Sequence, residues 1–321
     1  MIEGLRNDIE EYLSKADFNG KTPHKLYAPI TYIMGLKGKR IRPILATLAY
    51  HAISGKAPQQ ALALGCAIEL FHNFTLIHDD IMDNAPMRRG KPTVHEKWDT
   101  NVAILSGDAV FAISVEWLVK DFPQKAADLV TTFTRTAVEV CEGQQEDMDL
   151  AERETAGIED YLSMIRKKTS VLLGASLQLG AIAANADAEL AALFYDFGVL
   201  AGIGFQLQDD YMDAYPPEGF GKQKGGDIIE NKKTFLFLKA LERANETQRK
   251  RLEDLLNEKN QEMKVNEALT LFSDLKIPEA TQELIDHYFM QAKVVGAKIK
   301  EKVHYFHPLE VVLSEISERK V

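Results

Sequence analysis

Residues 66–82 form an apolar run at helical spacing that ends in acids, Leu76-Ile77-His78-Asp79-Asp80-Ile81-Met82-Asp83. Ala67, Leu70, Phe74, Ile77 and Ile81 share one stripe of a 3.6-residue helix, and His72, Leu76, Asp79 and Asp83 share another. Asp79 and Asp83 are thus stacked one turn apart, where like charges oppose an isolated helix by roughly 0.2–0.5 kcal/mol. A solvated helix end tolerates that cost. A semi-buried one makes sense around a cation, and a few oxygen ligands suit Mg2+, which keeps waters and shares a phosphate. The pattern recurs at Gly204-Phe205-Gln206-Leu207-Gln208-Asp209-Asp210-Tyr211-Met212-Asp213, with Gln206, Asp209 and Asp213 on one face. Two such acidic faces, far apart in sequence, imply one shared metal site.

Basic groups accompany the acids. In Gly38-Lys39-Arg40-Ile41-Arg42-Pro43, Pro43 suits the first position of a helix, so Lys39 and Arg42 flank a helix start whose free N–H groups favour an anion. Arg88-Arg89-Gly90-Lys91-Pro92 follows the first acidic cluster directly, and paired arginines supply planar forks for phosphate oxygens. Either segment can also be read as a solvated basic loop. Gly143-Gln144-Gln145-Glu146-Asp147-Met148-Asp149 and Lys167-Lys168-Thr169-Ser170 set polar groups inside otherwise apolar helices. The segment from Gly219 to Lys232 is a Gly/Lys loop, either a surface turn or a phosphate lid. It lacks the spacing and ending of a Walker A loop.

A chain of 321 residues with 45% hydrophobic and 27% charged residues can bury one large core. Its net charge of -10 argues against a nucleic-acid partner. Cys66 and Cys141 lack CxxC spacing and read as buried, reduced thiols, which fits the cytoplasm. The first residues lack a basic-then-apolar leader, and no unbroken run reaches the ~18 apolar residues of a transmembrane segment.

Apolar spacing is helical nearly throughout, without a persuasive strand pattern. The expected fold is all-α, in one domain spanning 1–321. Helices are expected near 3–17, 24–35, 43–54, 58–83, 93–98, 101–121, 124–153, 158–184, 187–215, 231–244, 247–257, 261–274, 278–302 and 308–319. Gly174, Gly180, Gly198, Gly202 and Gly204 mark helices that approach one another closely.

Taken together, these segments resemble the trans-isoprenyl diphosphate synthases, in the family's order and over nearly the whole chain. They are GKRxRP at residues 38–43, DDxxD at 79–83 followed by Arg88-Arg89-Gly90, GQxxD at 143–147, Lys168-Thr169, FQxxDD at 205–210, GKxxGxD at 221–227 and Asn231-Lys232. The resemblance implies a single-domain antiparallel helical bundle around a deep central cavity, and a homodimer. It implies Mg2+, three ions bound with the allylic diphosphate, on Asp79, Asp80, Asp83, Asp209, Asp210 and Asp213. By the same resemblance Lys39, Arg42, His72 and Arg89 hold isopentenyl diphosphate, while Arg88, Lys168, Lys222 and Lys232 hold the allylic diphosphate (dimethylallyl, geranyl or farnesyl). Lys224 competes with Lys222 for the loop role, and Gln144 joins the substrate-binding set. Thr169, Gln206 and the Lys168 carbonyl face the allylic cation, and Asp227 supports metal-bound water or a neighbouring lysine.

The product length implied by resemblance is C20, with C15 as the alternative: Phe74 acts as the floor of the chain tunnel beside a small Thr75. Helix geometry by itself puts Thr75 on the Asp79 face and Phe74 off it. A class I terpene cyclase is disfavoured because its second metal motif normally mixes Asn or Asp with Ser or Thr and Glu. A non-catalytic partner subunit tends to lose one acidic motif, and a helical metal-binding protein has no use for the basic groups.

Overall fold

The computed structural model describes residues 1–16, 18, 20–153, 155–216 and 224–318. Its elements in chain order are α1 (Ile2–Ser14), α2 (His24–Met34), α3 (Ile41–Ser54), α4 (Leu62–Met82), β1 (Met87–Arg88), β2 (Lys91–Pro92), α5 (Val94–Lys97), α6 (Thr100–Leu118), α7 (Ala126–Glu152), α8 (Ile158–Ile165), α9 (Val171–Ala183), α10 (Ala188–Ala214), α11 (Gly226–Ile229), α12 (Phe235–Arg243), α13 (Glu246–Leu255), α14 (Gln261–Asp274), α15 (Ile277–Lys300) and α16 (His307–Ser317). The all-α expectation holds, with one addition: β1 and β2 pair antiparallel over two residues each. That hairpin is too short to carry an alternating signal.

The chain divides into two compact units. The first comprises Met1–Arg135, Ala175–Tyr195 and Lys298–Val312; the second comprises Thr136–Gly174, Asp196–Ala297 and Leu313–Val321.

In the first unit α4 is apolar over its first half apart from Glu69, and residues 63–71 are buried without a break, as expected of a helix that runs through a core. It packs on α3 and α6. Small residues set the approach: a Cβ on Gly65 would lie 3.0 Å from the Pro43 carbonyl oxygen, and one on Gly107 would lie 2.4 Å from His78 Nε2. The start of α3 differs from the sequence expectation. Ile41 opens the helix, and Arg40 precedes it in the left-handed region at φ 51°. Pro43 is then the third helical residue, where its missing N–H costs nothing because the first four N–H groups have no helical acceptor. Arg40 is 2% exposed. It donates to Glu10 on α1 at 2.8 Å, to Glu69 on α4 at 2.7 Å, and to the Met34 and Leu36 carbonyls at 2.9 and 3.1 Å.

The second unit has a core of Leu236, Leu252, Leu255, Leu271, Phe272 and Ile277. Asn245 and Asn260 accept from the third backbone N–H of α13 and α14, satisfying donors that a helix start leaves open.

Four other expectations change. The helix foreseen over 158–184 is broken by a π-turn at Arg166–Ser170, and the one foreseen from 231 begins at Phe235, after the separate α11. Cys66 is buried but Cys141 is exposed. Finally, Pro58–Met82, Thr100–Leu118 and Ala188–Ala214 are long and apolar enough to cross a membrane by length and composition. A count of unbroken runs misses them because isolated polar residues interrupt each. Of their most apolar stretches 67%, 33% and 61%, respectively, are buried within the protein.

Gly180 meets α3 so closely that a Cβ there would lie 2.1 Å from the Ala46 carbonyl oxygen. Backbone cannot swing aside as a side chain can, so Gly180→Ala is expected to destabilise the protein by about 1–3 kcal/mol. A urea titration followed by far-ultraviolet circular dichroism measures the loss.

Candidate active site

In the second unit a cavity of about 300 Å3 is lined by Asp147, Lys168, Thr169, Gln206, Asp209, Asp210, Asp213, Asp227 and Lys232, among others. The π-turn shapes one wall. Each of its backbone bonds spans five residues, so the turn is wide, and it brings Lys168 and Thr169 to the cavity. Glycines let the neighbours close on it: a Cβ on Gly143 of α7 would lie 2.2 Å from the Lys168 nitrogen, and one on Gly202 of α10 would lie 2.7 Å from the Ser170 Cα. Lys168 then reaches Asp147 at 2.6 Å. Gln144, one residue past Gly143, is buried, and its Oε1 has no hydrogen-bond partner among the described residues.

The acids of α10 sit at the end of a hydrogen-bonded chain. Thr169 Oγ1 donates to Gln206 Oε1 at 3.1 Å, and Gln206 Nε2 donates to Asp210 Oδ1 at 2.8 Å. Tyr161 donates its hydroxyl to Asp210 Oδ2 at 2.7 Å. Burial, with Asp227 and Asp209 nearby, pushes the Asp210 carboxyl up to about 7 despite those bonds, and burial raises Asp213 as well. Asp213 accepts from the Asp227 backbone N–H at 2.9 Å, which anchors α11. Asp227 pairs with Lys232 at 3.0 Å.

Crowded carboxylates held above their usual range favour a cation, which removes the repulsion. Among the described residues no three Asp, Glu, His or Cys side chains form a closed metal cage. An open set of oxygen donors fits Mg2+, which takes the rest of its shell from water and phosphate.

The first unit gathers the opposite charge. Arg42 is pushed down to about 10, chiefly by burial and also by Arg89, and its Nε has no hydrogen-bond partner among the described residues. Burial lowers Arg89 too, with Arg40 and Arg88 adding to the effect. His72 is held well below the usual histidine range by burial and then by Arg42, Arg89, Arg88 and Arg40, so its imidazole is neutral. Arg89 lies against Gly38, where a Cβ would come within 3.0 Å of the guanidinium, and it donates to the Leu36 carbonyl at 3.2 Å. Mutually repelling cations around a neutral imidazole form a receptor for a multiply charged anion. Lys39 is exposed beside them.

The first acidic motif divides. Asp80 is buried and takes a two-pronged bond from Arg88, with Arg88 Nε 2.9 Å from both carboxylate oxygens and Nη2 at 2.7 Å. The Asp83 N–H donates to the Asp79 carbonyl at 2.8 Å and closes α4. Asp79 is half-buried and Asp83 exposed. Phe74 packs on Phe71, Phe111 and His78 with ring centres 5.6, 5.3 and 4.6 Å away. Thr75 bonds to the His72 carbonyl at 2.8 Å. Lys222 lies outside the described residues, and Lys224 is exposed.

Sequence reasoning missed Tyr161, whose phenol gives no signal outside a motif. It also missed the Asp80–Arg88 pair, in which a metal candidate and a phosphate candidate satisfy each other.

The polyprenyl synthetase family model matches residues 23–272. The chain is 41% identical to the geranylgeranyl diphosphate synthase of Methanosarcina mazei over 69% of each chain. It is 38% identical to a short chain isoprenyl diphosphate synthase of Methanothermobacter thermautotrophicus over 84% of this chain and 83% of that one. A crystal structure of a geranylgeranyl pyrophosphate synthase superposes with a TM-score of 0.92 at 39% identity, covering 100% and 99% of the two chains.

A raised carboxyl has a definite consequence for stability. Between the ordinary aspartate range and about 7, folded Asp210 holds a proton that the unfolded chain has released. Stability without divalent metal is therefore expected to fall as pH rises through that window, by up to about 4 kcal/mol. Urea titrations from pH 4.5 to 8 in the presence of a chelator should show the decline, and Asp210→Asn should flatten it.

Proposed function

The chain belongs to the polyprenyl synthetase family, and on that premise we propose how its side chains divide the reaction. The protein is a chain-elongating trans-prenyltransferase that joins isopentenyl diphosphate to an allylic diphosphate. The observation that carries the division of roles is that one cavity is lined by both charges, Lys168 and Lys232 together with Asp209, Asp210 and Asp213.

Asp79, Asp83, Asp209, Asp210 and Asp213 are the acids we assign to Mg2+, three ions in all, on the allylic diphosphate. Bound Mg2+ neutralises the charge that builds on the departing diphosphate. We assign Asp80 a different task, to hold Arg88 in place, because its carboxylate is already taken up by that guanidinium. Arg88, Lys168 and Lys232 grip the allylic diphosphate, with Lys222 as a further candidate. Arg42, Arg89, His72 and Lys39 grip isopentenyl diphosphate, and Gln144 contributes polar contact.

In the reaction the allylic C1–O bond breaks and the electron pair leaves with diphosphate. The double bond of isopentenyl diphosphate attacks C1, and a proton passes from its C2 to an oxygen of the departing diphosphate, leaving a chain five carbons longer. Gln206 and Thr169 present oxygen dipoles to the cation, and no side-chain nucleophile is needed. The hydrogen bond from Gln206 Nε2 to Asp210 fixes the amide so that its oxygen is the end on the Thr169 side.

We propose C20 as the product, supported by Phe74 as a tunnel floor and by the names of the relatives. We also propose a homodimer formed through α6, where Ile104 and Leu105 are 40% and 60% exposed in this single chain. We place the enzyme in the cytoplasm, which suits a thiol such as Cys66.

Asp79→Ala and Asp209→Ala are each expected to lower turnover by about two to three orders of magnitude while the helical signal persists. Steady-state assays across a Mg2+ titration check this, and near wild-type rates in either variant would remove the metal assignment.

Purified enzyme incubated with Mg2+, isopentenyl diphosphate and separate C5, C10 or C15 primers should accept them and accumulate the C20 diphosphate. Phe74→Ala should lengthen the product and Thr75→Phe should shorten it toward C15, as read by chain-length analysis. An unchanged distribution in both variants would place the floor elsewhere.

A further inference from the structure

Lys264 lies on α14, outside every motif described above, and is 4% exposed. Its ammonium donates to the Asn231 side-chain oxygen at 2.5 Å and to the Ile229 carbonyl at 3.2 Å. Asn231 stands in the left-handed region at φ 58°, a conformation that Asn tolerates better than most side chains. The other end of its amide donates to the Leu256 carbonyl at 3.0 Å. One residue on, Lys232 turns back onto Asp227 and Glu230, and its backbone N–H closes on the Asp227 carbonyl at 2.9 Å. On the far side, Lys233 is bonded to the Leu150 carbonyl at 2.7 Å and to those of Ala151 and Arg153.

The turn is therefore pinned by the residues on both sides of Lys232, in addition to the bonds Lys232 makes back to Asp227 and Glu230. Lys264 does this from a small pocket whose other walls include Phe237, Leu252, Leu255 and Phe272. An ammonium among apolar groups is costly to desolvate, and a methionine of similar length would serve packing better. Its presence there calls for a geometric task, and among the described residues the groups its ammonium bonds are the two oxygens that shape this turn.

We propose that Lys264 and Asn231 form a clamp that aims Lys232 into the diphosphate cavity, which makes Lys264 a positioning residue for the allylic substrate. The inference rests on the assignment of Lys232 to the allylic diphosphate. A pre-set turn spares the substrate the ordering of a flexible lysine loop, so loss of the clamp appears in allylic binding before anything else.

The test is steady-state kinetics of the full chain with Mg2+, isopentenyl diphosphate and geranyl diphosphate. Lys264→Met is expected to raise KM for geranyl diphosphate about tenfold, the scale of losing a supporting partner, and to leave KM for isopentenyl diphosphate within about twofold. Lys264→Arg should recover most of the loss. In a Lys232→Ala background, Lys264→Met should add less than about twofold, because the clamp then has nothing to aim. Asn231→Gly, which keeps the left-handed turn and removes the grip, carries the same test if Lys264→Met does not fold. Losses that multiply in the double variant, or that fall equally on both substrates, would overturn the clamp and leave the Lys232 assignment standing. A Lys232→Ala enzyme with unchanged KM for geranyl diphosphate would overturn that assignment and the clamp with it.

Discussion

Like charges held together against their own repulsion are the constraint on which each half of this protein is built. In the second unit Asp209, Asp210, Asp213 and Asp227 meet around one cavity, and the cost is visible in an Asp210 carboxyl pushed up to about 7. In the first unit Arg42 is pushed down to about 10 and His72 is kept neutral among arginines. A protein selected for stability alone would disperse these groups. Under the roles proposed above, a cation on the acids and phosphate oxygens on the arginines would relieve both strains.

Such crowding survives only within a frame of fully satisfied polar pairs. Arg40, which lies in the same basic motif as Arg42, has its donors taken by Glu10, Glu69 and two carbonyls. Asp80, between two metal candidates, is engaged by Arg88. Arg40 and Asp80 thus serve as framework within motifs whose other charged residues are the ones proposed to meet ligands. Glu69 is the hinge of this arrangement: it neutralises Arg40 and also favours the charged forms of Arg42 and Arg89.

Backbone approach sets the rest of the geometry. The π-turn at Arg166–Ser170 puts Lys168 and Thr169 on the cavity wall, and it fits only because α7 and α10 offer Gly143 and Gly202 to it. The Asn231 turn does the same for Lys232 by bonding in place of close packing. Both devices place a flexible lysine without burying its charged end.

The sequence alone determined the helical class, because 3.6-residue apolar spacing is a local property that needs no partner to be read. It also determined where chemistry would concentrate, since acids at helix ends and adjacent arginines break that spacing conspicuously. Cys141 was misread as buried because an apolar neighbourhood in sequence does not reveal which face a helix turns outward. Only the tertiary structure decided that Asp80 holds Arg88, that Tyr161 and Gln206 share Asp210, and that Lys264 grips the turn before Lys232. Each of those contacts joins residues from different elements or from across a turn, and their pairing depends on packing distances that no periodicity encodes. The π-turn belongs with them: a widened turn is disfavoured by local propensity and persists here because two glycines from other helices close around it.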